Sequence, residues 1–374
     1  MSRVLVVGAG FAGAVVAREL ADRGIDVDLI DRRDHLAGNA FDPVDAATGI
    51  RVHRFGPHIF HTSDRQVVDW LSRFTGWLPY RHRVEAFVAG VGHVPLPINR
   101  TTLNRLYGLE LRTEPEMRAF LDRVRASHPR PANAREAAEN LYGAELTELF
   151  FARYSRKMWE LDLADLPSSV VARLPVRYDD NPEYFDDAFQ ALPDLGYGAL
   201  FENMLDHERI RVRLATPFSR GCERGYDHVF TSAAIDDWFD LRFGPLPYRS
   251  IRFAHRVVAD HRQSVPTVNL TDASPVTRIT DWRLYPGHGA GADALLTSET
   301  PCSYEDNGFE RYYPAKRVDG VPQERYARYR ALADALPSVT FIGRCGQYQY
   351  FDMHQVVANS RLIARRFLAT AAAA

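Results

Sequence analysis

The chain opens on an unbroken apolar run, Val4-Leu5-Val6-Val7, the pattern of a central parallel strand covered on both faces. Gly8-Ala9-Gly10-Phe11-Ala12-Gly13 follows. Apolar positions then recur with a helical period at Ala14, Val15, Ala17, Leu20 and Ala21, until Gly24 stops them. Val27-Asp28-Leu29-Ile30-Asp31 reads as a second strand, which completes one βαβ unit. Further on, Glu114 to Ser127 and Ala134 to Phe151 carry the 3.6-residue period, on either side of a proline-rich break at Pro129 to Pro131. From residue 245 to 315, short β-prone runs alternate with turn residues, which predicts an antiparallel sheet. The end returns to α/β character, with a strand at Val339 to Gly343 and a helix from Asp352 to Ala369. The pattern predicts an α/β protein whose Rossmann-like domain is discontinuous, with insertions between its first and last segments.

The glycine run has a specific chemistry. Gly8 and Gly10 permit a tight turn and close backbone approach to a pyrophosphate, and Gly13 lets helix and strand pack closely. The helix N-terminus beyond them, at Phe11 and Ala12, offers free N–H groups and a positive dipole end. Asp31 closes the second strand where a carboxylate accepts from ribose hydroxyls. The motif implies a dinucleotide and leaves NAD and FAD open.

Composition removes several classes of function. Lys and Arg number 46 against 48 Asp and Glu, a net charge of -2, so there is no basic excess for nucleic acid or an anionic membrane. No apolar run reaches the roughly 20 residues that span a bilayer. The start, Met1-Ser2-Arg3, has no signal-peptide layout, and Cys222, Cys302 and Cys345 lack metal or disulfide spacing; a cytoplasmic location is expected. Only Lys157 and Lys316 are lysines, so an arginine in this chain is not a site by its presence alone. No Ser-His-Asp or paired-carboxylate constellation is evident.

A series of ordered segments then resembles the UDP-galactopyranose mutase family along essentially the whole chain. They include Arg32 to Ala40, with Ala37 where that family usually has glycine, and Gly56-Pro57-His58-Ile59-Phe60-His61-Thr62. Tyr80, His82, Arg83, Pro95 to Asn99, Tyr154 to Trp159 and Arg173 to Arg177 continue the likeness. So do Tyr248-Arg249-Ser250, Thr277-Arg278-Ile279 and, most distinctively, Gly343-Arg344 with Tyr348 to Met353. The resemblance implies FAD, a UDP-linked hexose and exchange between its pyranose and furanose rings. Reduced FAD would act through N5 as the nucleophile on the anomeric carbon, with no net redox change. It implies an FAD-binding domain from residues 1–80, 193–243 and 334–374, and a helical domain at 100–160 with a mobile substrate loop near 155–170. An antiparallel sheet domain would comprise 81–99, 170–192 and 244–333, and the chain would form a homodimer or higher homo-oligomer.

Site residues follow from the same resemblance. Arg173 and Arg278 are expected to clamp the diphosphate and, with His58, to be catalytic. Gly8, Gly10, Phe11, Ala12, Gly13, Asp31, Arg32, Gly38, Asn39, His58, Ile59, Val212, Arg344, Asp352 and Met353 are expected at the cofactor. His82, Phe150, Phe151, Tyr154, Trp159, Tyr184, Asn269, Tyr313, Tyr350 and Asp352 are expected at the substrate, with Phe150, Phe151 and Tyr154 as a uracil slot and Tyr184, Tyr313 and Tyr350 offering hydroxyls to phosphate. Phe150 reads equally as part of a helix core stripe. Glu299 lies near the family's acidic position and is given no acid–base duty; His61 is read as holding its loop. Two other readings remain: a mutase for another UDP- or TDP-linked sugar, and a flavin oxidoreductase of the amine-oxidase type.

Overall fold

The computed structural model of the chain describes residues 3–171, 175–289 and 291–373. A five-stranded parallel sheet holds the N-terminal unit, in the order 339–341, 228–231, 3–7, 26–30, 210–213. The strand Arg3–Val7 is central, and Val4 and Val6 are 0% exposed, as the unbroken apolar run requires. The helix Phe11–Ala21 lies between this sheet and the long final helix Met353–Ala373. Gly13 is what allows that approach: a Cβ there would sit 1.9 Å from the carbonyl oxygen of Gly8 and 3.0 Å from Val6. Among the described residues no helix is long and apolar enough to cross a membrane.

A second, seven-stranded sheet runs 313–314, 248–258, 294–303, 278–281, 267–270, 84–88, 92–96. It departs from a purely antiparallel sheet at one place, since Thr267–Leu270 pairs parallel to Val84–Val88. A third sheet of three short strands pairs Phe189–Pro193 with Phe60–Thr62 and Trp77–Pro79. The expected boundary between 192 and 193 therefore falls inside a strand.

The helical segment also differs from its periodicity. The run from 134 to 151 is broken at Gly143, whose φ of 81° ends the helix Ala134–Tyr142. The chain then winds through a π-helical stretch, Thr147–Ala152, into the helix Arg153–Trp159. The stretch expected to start as a loop at 155 thus starts inside a helix. Ala37, the departure from the family's glycine, sits at φ 69° and carries the left-handed strain, about 1 kcal/mol, that a glycine would avoid.

Gly13→Ala should lower stability by about 1–3 kcal/mol, because the methyl has no space that backbone does not already fill. Denaturant unfolding checks this, and an unchanged midpoint would show that the helix can move off the strand freely.

Candidate active site

The seven-stranded sheet assembles the polar heart of the site by register. Phe253 stands opposite Glu299, Glu299 opposite Arg278, and Arg278 opposite Asn269. Directly opposed residues share a face, so these four side chains form one row across four strands. Glu299 is 1% exposed and its Oε2 accepts from Arg278 Nε at 2.9 Å. Among the described residues its other oxygen has no donor, nor has the buried Oδ1 of Asn269. Burial raises the Glu299 carboxyl toward its neutral form, with Arg278 pulling the other way. Burial likewise opposes charge on Arg278, but Glu299, with Tyr154, Tyr184 and Tyr312 near it, outweighs that and holds the guanidinium ionised. Gly56 closes the row from above: a Cβ at this position would lie 2.9 Å from Phe253 and 3.0 Å from the free Glu299 oxygen.

Gly56 begins the histidine loop. The His58 N–H donates to His53 Nδ1 at 2.9 Å, and Tyr197 donates to the His58 carbonyl at 3.0 Å. His58 Nδ1 lies 2.8 Å from the Gly56 carbonyl, which can only accept, so Nδ1 carries the proton and Nε2 is left as an acceptor. Burial, partly offset by that bond, pushes His58 down to about 4. His53 is fully enclosed, its ring 5.0 Å from those of both Trp282 and His288. Tyr312, a residue the sequence did not mark, donates to the Phe55 carbonyl at 2.6 Å and fixes the loop from the other side. His61 does hold its loop, paired to Asp187 at 2.7 Å and stacked on Phe185.

His82 is 4% exposed, 3.0 Å from the Tyr80 hydroxyl, and burial together with nearby Arg278 drives it down to about 3. The Tyr184 N–H donates to the His82 carbonyl, which brings both side chains beside Arg278. Tyr154 reaches the same cluster from the helix Arg153–Trp159, and Tyr350 from the chain end, where its ring lies under Arg344 at 4.7 Å. Arg344 Nε donates to the Phe351 carbonyl at 2.7 Å. Asp352 immediately precedes the final helix, Met353 is its first residue, and the Val356 N–H donates to the Asp352 carbonyl.

Several expected residues stand elsewhere. Phe150 and Phe151 are 7% and 8% exposed in the helical core, and Phe151 stacks on Tyr142 at 4.7 Å, while Tyr154 lies near Arg278. Tyr313 is 2% exposed, its hydroxyl donates to the Met158 carbonyl at 2.7 Å, and its ring stands edge-on to that of Tyr350 at 6.3 Å. Trp159 packs edge-on against Tyr313. Lys157, expected on a covering loop, is anchored: its amine donates to the carbonyls of Leu270 and Val276, both at 2.9 Å, across the mouth of the hairpin that bears Asn269 and Arg278. Arg173 lies outside the described residues.

At the dinucleotide end, Gly10 caps the first helix with no side-chain bond, which leaves that N-terminus open to an anion. Gly38 backs onto it, so close that a Cβ on Gly38 would lie 3.0 Å from Gly10 Cα. Asp31 braces this cradle, accepting from the N–H groups of Ala9 at 2.6 Å and Arg33 at 2.8 Å. Arg32 is half exposed and paired with Glu310, Asn39 accepts from Arg33, Ile59 is buried, and Val212 stands on the outer strand beside Leu29. An uncapped helix end inside walls without Cβ atoms fits a dinucleotide cofactor.

The buried histidines set an acid limit. A folded pKa near 3 for His82 against the ordinary 6.5 means the unfolded chain takes up a proton that the native state refuses. Stability from this group is complete above pH 6.5 and falls with pH, by about 2 kcal/mol at pH 5. Unfolding measured at pH 7.5 and pH 5 should show a smaller pH loss in His82→Gln than in the parent; equal losses would mean that His82 is protonated in the native state.

Comparison with known proteins agrees with this arrangement. A family model described as UDP-galactopyranose mutase matches residues 149–350, and one described as an NAD(P)-binding Rossmann-like domain matches residues 6–74. The chain is 33% identical over 370 residues to a probable UDP-galactopyranose mutase of Klebsiella pneumoniae, covering 99% of this chain and 95% of that one. It is 34% identical over 363 residues to a dTDP-fucopyranose mutase of Escherichia coli, covering 94% and 95%. A crystal structure of reduced UDP-galactopyranose mutase superposes with a TM-score of 0.76 at 17% identity, over 99% of this chain and 94% of that one. Putrescine oxidase shares the fold at a TM-score of 0.57 and 14% identity, over 98% of this chain and 99% of that one. The chain belongs to the UDP-galactopyranose mutase family.

Proposed function

We propose that this protein binds FAD and interconverts the pyranose and furanose forms of UDP-galactose. The observation that carries the reading is the convergence of an ionised arginine, three tyrosines and two neutral histidines at the meeting of the sheet row and the histidine loop. Reduced FAD, when bound, supplies an electron-rich nitrogen able to take the anomeric carbon from phosphate without net oxidation. Gly8, Gly10, Gly13 and Gly38 would pass its pyrophosphate, the N-terminus of Phe11–Ala21 would bind it, and Arg344, Asp352 and Met353 would border its far end.

The chain's own contribution is electrostatic. Arg278 neutralises charge on the diphosphate, a task suited to a planar cation that stays protonated. Glu299 holds it by Nε alone and leaves its terminal donors toward the substrate. Asn269 places an unpaired acceptor beside it, which takes a hydroxyl of the sugar or ribose. Tyr154, Tyr184 and Tyr350 offer hydroxyls without adding charge, and His58 presents a neutral acceptor nitrogen instead of a competing cation. Arg173 is proposed as the second diphosphate clamp. The helix Arg153–Trp159 excludes water from this side, which strengthens each charge contact within.

A second reading, a dTDP-sugar substrate, is favoured by the identity to the dTDP-fucopyranose mutase, which equals that to the UDP-galactose enzyme within one percentage point. An amine-oxidase chemistry is disfavoured: the shared fold does not carry the reaction, and the ionised Arg278 is a poor lining for a cationic amine.

Dithionite-reduced protein should convert UDP-galactofuranose to UDP-galactopyranose, and the oxidised protein should not. Turnover of dTDP-fucofuranose in preference would move the assignment to the second reading. Arg278→Lys should lower kcat/KM by about 10²–10³, as loss of one oriented donor does in other sites; a variant as active as the parent would remove Arg278 from the diphosphate.

A further inference from the structure

The end of the helix Arg153–Trp159 is fastened in a way the proposed reaction does not account for. Glu160 follows it at φ 54°, a left-handed backbone that glycine adopts freely and glutamate does not. Its side chain is 65% exposed, yet its carboxylate engages a guanidinium that is 7% exposed: Arg249 Nη1 lies 2.8 Å from Oε2 and Nη2 lies 2.9 Å from Oε1. The third edge of the same guanidinium donates from Nε to the Met158 carbonyl at 3.1 Å, where the Tyr313 hydroxyl also donates. An exposed residue in strained backbone thus completes a buried fork, and the fork and Tyr313 together grip the Met158 carbonyl at the end of the helix that carries Tyr154, Lys157 and Trp159.

We infer that Glu160 is a positioning residue: through Arg249 it latches this helix over the sheet row, and so sets the height of Tyr154 and Trp159 above the nucleotide. The role rests on the sugar-nucleotide reading of the site, though the latch itself does not. A helix cap that served stability alone would be improved by glycine, which accepts the left-handed conformation without strain. A latch would be lost. The two roles therefore predict opposite outcomes for one substitution, Glu160→Gly. The helix is held independently at its other side by Lys157, so the variant should loosen the segment without unfolding the protein.

Holoenzyme of the parent, Glu160→Gly and Glu160→Gln is digested with trypsin under native conditions, with cleavage followed at Arg153, Arg156 and Lys157, and with thermal unfolding measured alongside. Cleavage in Glu160→Gly should be about tenfold faster, tracking the open population, with an equal or higher Tm and Glu160→Gln intermediate. Titrated UDP should protect the segment, and half-protection should need several-fold more UDP in Glu160→Gly. Unchanged cleavage overturns the latch, as does a Tm that falls in step with it. Faster cleavage with unaltered UDP protection overturns the positioning role. Absence of UDP protection in the parent refutes the nucleotide reading of the site, and with it the positioning role, while the cleavage rates still judge the latch.

Discussion

A carboxylate buried to 1% exposure with one charged donor among the described residues is costly unless something depends on it. In this protein the donor is Arg278, and the pair occupies the centre of a sheet face whose neighbours are all fixed by strand register. Removing Glu299 would free the arginine to swing; removing the arginine would strand a buried acid. The pair holds because each half prevents the other from relaxing, and that mutual restraint lets an arginine be partly exposed, charged and still aimed. The free oxygen of Glu299 adds a second restraint, since it limits what can stand above it to a residue without a Cβ.

That residue is Gly56, and the histidine loop inherits its course from there. His53 accepts the His58 N–H, Tyr197 donates to the His58 carbonyl, and Tyr312 holds Phe55. A loop with its backbone groups so fully engaged keeps an imidazole in one tautomer. The electrostatics agree with the geometry: two neutral histidines near an arginine avoid like-charge repulsion. Arg278 and Arg344 thus stand as cations beside His58, and the neutral imidazole adds no further like charge to them.

The N-terminal unit was legible because its signals are local. A strand, a glycine turn, a helix and a terminal acid lie within one βαβ segment, and each constrains backbone that is adjacent in sequence. The sheet row was not legible in the same way. Arg278 and Glu299 are separated by a loop and meet only through antiparallel register, which a hydrophobic pattern cannot count. The sequence reading gives Glu299 no acid–base duty, and its part as the partner of Arg278 had no signal in the sequence. Tyr313, expected to offer its hydroxyl to phosphate, and Lys157, expected on a covering loop, both donate to backbone carbonyls, those of Met158 and of Leu270 and Val276. Helix ends and hairpin mouths always leave such carbonyls open, and a hydroxyl or ammonium beside them is drawn there first.

The same reasoning explains why the shared fold with amine oxidases carries so little functional weight. The parallel sheet and its uncapped helix recognise a pyrophosphate through backbone, so that half of the molecule is indifferent to what is transformed. Chemistry is chosen on the second sheet, where one face can be apolar or polar without altering strand order. Replacing the four-residue row Phe253, Glu299, Arg278, Asn269 by apolar side chains would leave every backbone pairing intact and remove the guanidinium proposed to meet the diphosphate. On the proposed reading, substrate class is set by that row, and base and sugar identity at its edges, where Tyr154 and His82 approach from separate segments of the chain.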